Sequence, residues 1–505
     1  LSCSQGYINP VELTATAIAL GTPMSTLVPT ETAAQPSAAP TEPSTATSAD
    51  LLEPSATPKP TNTPDPNATP RPLIQYLTQA GDTLPSITGR YNVSADQITS
   101  SEPIPETGLI SPGIWLFIPD TLDNVLESIQ VLPDSEVVYS PSAADFDVIA
   151  YINNAGGYLS RYEQSVSGKL LNGAEILQRI AIENSINPYL LLALLEYKSH
   201  WVLGEPTNIL ETDYPMGVAK LEYKGLYKQL YWVVQQLSIG YYGWRAGSLA
   251  TLPFKDGTVM RISPGLNAGT AAIQYLVAQM YVQAEWAAVL YGENSLPELM
   301  TSMFGDFWAR SRAVEPLYPV DLLQPELQLP FIRGRIWSMT GGPHSAWGPD
   351  GALAAIDFAP PMDTSGCVKT DEWITAMAPG LIVRSSDAIV MLDLDGDGVE
   401  QTGWVVMYMH VETRDRIAAG TTVQAGDKIG HPSCEGGVST GTHVHVVRKY
   451  NGEWILADGP LSFVMSGYVA HNGEKIYEGT LVNGDHIVIA DPNTSAKAFI
   501  QLPGE

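Results

Sequence analysis

The chain is short of positive charge. Its 505 residues carry 26 Lys and Arg against 54 Asp and Glu, a net charge of −28. That balance argues against nucleic acid and anionic membrane surfaces as electrostatic partners. Long apolar runs are missing too. Nowhere do about 18 apolar residues follow one another, so no membrane-spanning helix is expected. Cysteine is scarce, at three residues, and no CxxC pair exists to build a thiolate zinc site. Histidine is scarce as well, at eight. What is present is an apolar content of 44%, enough for sizeable cores, on a length that suits about three domains.

Two of the eight histidines stand one residue apart in GTHVHVV, residues 441–447. In a strand, positions i and i+2 share a face, so His443 and His445 are predicted to project side by side. A metal ligand beside a catalytic imidazole fits that pair, and so does a plain surface strand. The surroundings favour chemistry. From about Leu329 onward, short β-like runs alternate with Gly, Asp and Pro (IVRSSDAIVMLDLD, GWVVMYMHV, TTVQAGDKIGH), which predicts an all-β sandwich or barrel. This region also holds His344 and Asp357, in TGGPHSAWGPDGALAAIDFAPP, and His410, at the end of WVVMYMH. Asp357 lies between Ile356 and Phe358, where burial without a partner would be costly. His431 lies near Cys434 and is not counted as a ligand. His200, His471 and His486 have no such surroundings.

In this order the three segments resemble the lysostaphin/LytM-type zinc endopeptidases over roughly residues 329–459. The common family pattern wants a His four residues before the Asp, where this chain has Leu353. The staphylolytic-protease subgroup is a closer likeness, with its His further upstream in a Gly-rich loop, as His344 is. The resemblance implies a duplicated-hybrid-motif-like β fold and one zinc held by His344, Asp357 and His445. Catalytic zinc takes three protein ligands and leaves a fourth position for water, which it acidifies. His443 would then be the general base. His410 would stabilise the oxyanion or donate a proton.

Residues 73–120 resemble a LysM domain. The matching residues include Gly81-Asp82-Thr83-Leu84, Ile87, Tyr91-Asn92-Val93, Ile98 and Ile118-Pro119, with Ser100-Ser101 departing from the usual Asn. A strand near Tyr76 to Gln79, a helix capped at Asp82 or Thr83 and running through Arg90, a second helix after Ser94 and a return strand from Gly113 to Pro119 are predicted. The likeness implies binding to N-acetylglucosamine-containing glycan through Gly81, Asp82, Thr83, Leu109 and Ile110.

Residues 145–325 show helical spacing and many aromatics, and an all-α domain is predicted. INPYLLLALLEYKS resembles the catalytic helix of lysozyme-like lytic transglycosylases. Lys198 stands where that family has its Glu, and an ammonium cannot serve as the carboxylic acid of glycosidic cleavage. A degenerate, non-catalytic lysozyme-like domain is expected, with an unrelated helical bundle as the alternative.

The start of the chain, LSCSQGY, resembles the tail of a bacterial lipobox, which implies lipidation of Cys3 within an anchor segment 1–28. Residues 29–72 are rich in Thr, Pro, Ser and Ala and read as a disordered spacer. Cys367 and Cys434 would pair in an oxidising compartment or remain free thiols. Asp393, Asp395 and Asp397, followed by Gly398, match the first half of an EF-hand loop. Trp404 replaces the bidentate Glu at its twelfth position. Calcium is a possible second ion, and a polar turn is the alternative. Residues 460–505 carry short strands, either an extension of the β domain or a separate module. The whole reads as a multidomain, extracytoplasmic bacterial protein, secreted or lipid-anchored, whose partner is peptidoglycan. Its expected activity is zinc endopeptidase hydrolysis of stem peptides or cross-bridges, and a non-catalytic wall-binding scaffold is the alternative.

Overall fold

The computed structural model describes residues 72–319 and 321–502. Cys3, the segment 1–28 and all but the end of the 29–72 spacer lie outside those residues.

The first region is a three-stranded sheet. β1 (Leu73–Leu77) and β2 (Thr99–Ser100) both pair antiparallel with β3 (Trp115–Pro119). The helix α1 (Leu84–Tyr91) begins where Thr83 caps it: its side chain accepts from the Ser86 amide, and Ser86 returns a bond to the Thr83 amide. Asn92 ends it in the left-handed conformation at φ 52°. The helix predicted after Ser94 is a single turn, Ala95–Gln97.

The middle region is mainly helical. It contains α2 (Val148–Ala155), α3 (Gly173–Asn184), α4 (Pro188–Ser199), α5 (Ile209–Asp213), α6 (Leu226–Ala246), α7 (Ala268–Met280), α8 (Gln283–Tyr291), α9 (Leu296–Phe304) and α10 (Phe307–Ser311). Asn172 caps α3, and Asn187 with Pro188 at the first position starts α4. The long helix α6 crosses α7 closely at Gly240, where an added Cβ would come within 2.8 Å of the Ala272 Cα.

The third region is a nine-stranded antiparallel sheet. Its strands are β4 (Ile336–Ser345), β5 (Leu353–Ala359), β6 (Gly380–Ser386), β7 (Ile389–Asp393), β8 (Trp404–Met409), β9 (Thr422–Val423), β10 (Val444–Tyr450), β11 (Glu453–Trp454) and β16 (Phe499–Gln501), where β12 (Val464–Met465), β13 (Tyr468–Asn472), β14 (Gly479–Asn483) and β15 (His486–Ile489) form a separate small sheet. The order across the large sheet is β9-β6-β7-β8-β10-β5-β4-β16, with β11 on β10. The strand β16 therefore closes onto β4. Phe463, Met465, Ala470, Leu481 and Ile500 join the sheet's own core, so residues from 460 onward extend the β region.

Alternation sorts this sheet into two faces. Val390, Leu392, Val406, Tyr408, Val444 and Val446 pack into the β core. Their neighbours Ile389, Met391, Val405, Met407 and Val447 point the other way and join the core of the helical region. Side chains of this size stabilise by about 1.5–3 kcal/mol each when fully buried. The helical region thus covers part of the second face, and that face carries the histidines.

Candidate metal centre

The site follows from the register of three strands. His445 lies directly opposite Asp357 across the β10–β5 pair and opposite Met409 across β10–β8. Ile356, Phe358, Val444 and Val446 are core residues on the first face, so Asp357 and His445 must emerge on the second. The β4–β5 pairing slips around Gly341 and His344, and these irregularities bring His344 to the same point. Gly341 is required by space: a Cβ there would come within 2.7 Å of the Asp357 Oδ2.

Three donor atoms converge. His344 Nε2 is 3.0 Å from His445 Nδ1 and 3.3 Å from Asp357 Oδ1, and His445 Nδ1 is 3.1 Å from the same oxygen. All three residues are buried. His344 Nδ1 lies 2.8 Å from the Gly342 carbonyl and His445 Nε2 3.2 Å from the Ala346 carbonyl. A carbonyl only accepts, so those nitrogens carry the ring hydrogens. The facing nitrogens are then bare lone pairs aimed at a carboxylate, three acceptors around one point. Zinc with bonds of about 2.0–2.1 Å in tetrahedral geometry separates its ligand atoms by about 3.3 Å. The donor set fits that ion in type, spacing and outer hydrogen bonds.

Electrostatics within the cluster centre on Asp357. Burial alone would raise the Asp357 carboxyl, but His344 and His443 outweigh it and hold it well below the usual range. Burial lowers the His344 imidazole, and the Asp357 charge more than reverses this. For His445 burial wins and its pKa is lowered despite Asp357.

His443 and His410 stand beside this triangle. Their ring centroids are 4.4 Å apart, and His443 Nε2 is 3.8 Å from Asp357 Oδ1. His443 Nδ1 faces the Gly441 carbonyl at 2.8 Å, and His410 Nδ1 faces the Glu435 carbonyl at 2.8 Å. His410 takes a left-handed backbone, φ 65°, as the chain leaves β8. Burial, then the neighbouring His443 and His445, hold its imidazole well below the ordinary value, so it rests neutral. The structure therefore brings together all five residues singled out in the sequence.

An open cleft of about 1340 Å³ runs outward from Asp357 and His443 past Thr340, Met362 and Thr442. One wall is braced by the disulfide Cys367–Cys434. Tyr477 was not foreseen. Its ring stacks on His344 at 4.2 Å between centroids, and its backbone bonds to Gly342 and Pro343. It comes from the β13–β14 connection, beyond the stretch covered by the family likeness, and no local pattern marks it.

The other expected sites fare differently. Asp393, Asp395 and Asp397 do cluster, with Asp393 buried and accepting from the amides of Asp395, Gly396 and Gly398. Gly81, Asp82 and Thr83, expected from the sequence to bind glycan, do not line an open groove in this structure. All three are buried, Asp82 being held by Arg90 and the Tyr76 hydroxyl, with α6 packed over Gly81. Ile110 is buried and Leu109 half-buried. The open depression on this region lies alongside, between Pro85, Thr88 and Ile104. In the helical region Lys198 bonds to the Tyr281 hydroxyl at 2.6 Å, and Glu196 accepts from the amides of Val202 and Leu203. Both are engaged in holding the fold.

Comparison with known proteins adds the class. Residues 130–317 match the family described as LasA, N-terminal domain, which accounts for most of the helical region. Protease LasA of Pseudomonas aeruginosa strain UCBPP-PA14 is 26% identical over 347 residues, 65% of this chain and 75% of that protein. The β-lytic metalloendopeptidase of Achromobacter lyticus is 29% identical over 150 residues, 28% of this chain and 37% of that protein. The solved structure of the M23 metalloprotease pseudoalterin is 24% identical, covers 33% of this chain and 96% of its own, and superposes with a TM-score of 0.29. The chain is a metallopeptidase similar to protease LasA and to the β-lytic enzyme.

Proposed function

We propose that this enzyme hydrolyses peptide bonds of peptidoglycan, with zinc held by His344, Asp357 and His445. The observation that carries the reading is the convergence of those three acceptors beside two imidazoles at the head of an open cleft. Bound zinc supplies Lewis acidity toward a peptide carbonyl and toward water. The protein's own part is proton handling. His443 and His410 each give their Nδ1 hydrogen to a main-chain carbonyl, which leaves Nε2 free to accept. His443 Nε2 takes the proton of the attacking water. His410 rests neutral, so it stabilises the oxyanion or feeds the leaving amine only after its own Nε2 has been protonated. Tyr477, stacked on His344, restrains that ring and narrows the cleft.

Peptidoglycan as substrate draws on the likeness to the staphylolytic-protease subgroup and on the glycan-binding module read at residues 73–120. Export and lipid anchoring at Cys3 belong to the same proposal. No helix among the described residues is long and apolar enough to cross a membrane. The acidic turn Asp393–Asp397 is proposed to take calcium. Digestion of defined peptidoglycan, with mass spectrometry of the released fragments, tests the reading. New peptide termini on intact glycan strands are expected. Broken glycan without new peptide termini would move the activity to the helical region.

A further inference from the structure

The sugar loop read from the sequence is held under α6 by a tightly built contact. α1 and the end of α6 meet through two glycines. A Cβ on Gly89 would overlap the Gly247 carbonyl, and a Cβ on Gly247 would come within 2.6 Å of the Ser86 Cα. Gly81, at φ 85°, has no room for a side chain beside Arg245 and Tyr318. Gln79 Nε2 donates to the Gly265 carbonyl at 2.9 Å, and Arg261 Nη2 to the Arg90 carbonyl at 2.7 Å.

One guanidinium joins the three regions. Arg245 Nη1 donates to the Ala80 carbonyl at 2.7 Å, in the loop that precedes Thr83. Its Nε donates to Glu453 Oε1 at 3.0 Å, and its Nη2 to Asp134 at 2.9 Å. Glu453 sits on β11, directly paired with the strand that carries His445. Its carboxylate is buried, so the ion pair with Arg245 has little water to fall back on.

We propose that glycan binding at the Gly81–Thr83 loop and docking of its module on α6 exclude one another, and that Arg245 passes undocking to the peptidase sheet. The inference rests on the glycan reading of residues 73–120. A sugar ring cannot reach a buried loop, so binding must first lift α1 from Gly247. Lifting removes the Ala80 carbonyl from Arg245 and opens its pair with Glu453 to water, which loosens the grip of α6 on β11. Coupling of this kind is reciprocal, so loosening the contact strengthens glycan binding.

The test uses the full chain and a hexamer of N-acetylglucosamine. Gly89→Gln pries α1 from Gly247 without touching the loop or Arg245. Its affinity, by calorimetry, is expected to exceed that of the wild type by the reciprocal of the undocked fraction, about tenfold if one molecule in ten is undocked. In the wild type, which needs no variant to fold, the hexamer is expected to speed amide exchange across residues 241–248 and 448–454. Equal affinity of the two chains overturns the exclusion and leaves glycan binding standing. Tighter binding with no change of exchange at 448–454 overturns the transmission through Arg245. Absence of binding by both chains overturns the glycan reading and this inference with it.

Discussion

His443 and His445 share one strand face and one carboxylate. His445 Nδ1 lies 3.1 Å from Asp357 Oδ1, and His443 Nε2 lies 3.8 Å from the same oxygen. In the proposed mechanism the nearer imidazole completes the metal triangle, and the farther one moves protons. His443→Ala is therefore expected to lower peptide hydrolysis by about 10²–10⁴-fold while metal content stays at the wild-type level. Rates and bound metal measured on the same preparation check it.

Gly341 gives a test that leaves every ligand in place. A methyl group there meets the Asp357 carboxylate, which is buried between its two imidazole neighbours. Gly341→Ala is expected to weaken metal binding by about 10–100-fold, the range seen when support around a ligand is disturbed. Competition against a chelator of known affinity measures it.

How far the site could be read from sequence depended on whether its geometry is local. Alternation within GTHVHVV is a property of any strand, so the shared face of His443 and His445 was legible before the sheet was known. The capping signals at Thr83 and at Asn187-Pro188 were legible for the same reason. Tyr477 was not. It reaches His344 through a hairpin that folds back across the strand order, and nothing in HNGEKIYEG encodes that return. The burial of Gly81 to Thr83 was equally hidden, because it depends on α6, more than a hundred residues further on. The division of the large sheet's faces between two cores was hidden too, since alternation shows that two faces exist but not what covers each.

The disulfide Cys367–Cys434 closes a loop with a sequence separation of 67 residues along one wall of the cleft. A cross-link of that span stabilises by roughly 4 kcal/mol through the unfolded chain. Cys367→Ser with Cys434→Ser is expected to lower the Tm and to speed proteolysis of residues 361–370. Calorimetry and limited digestion check both.

The acidic turn has a pH signature. Burial pushes the Asp393 carboxyl up to about 6, with the neighbouring Asp395 adding to the rise. A carboxyl raised above its unfolded value of about 3.9 favours the fold while protonated. That contribution is full below about 3.9 and is lost as the pH rises through about 6. Without calcium, Tm is expected to fall between pH 5 and 7, and less so in Asp393→Asn. Millimolar calcium at pH 7 is expected to raise the wild-type Tm and leave that of the variant unchanged. An unresponsive wild type would show a plain polar turn.

Peptide hydrolysis as proposed requires one ion at the meeting point of His344, Asp357 and His445. Elemental analysis of the purified chain, beside His344→Ala and His445→Ala purified in the same way, tests this most directly. About one zinc per wild-type chain is expected, with zinc lost from both variants. A wild-type chain that cannot be loaded with zinc, or variants that keep it in full, would contradict the account.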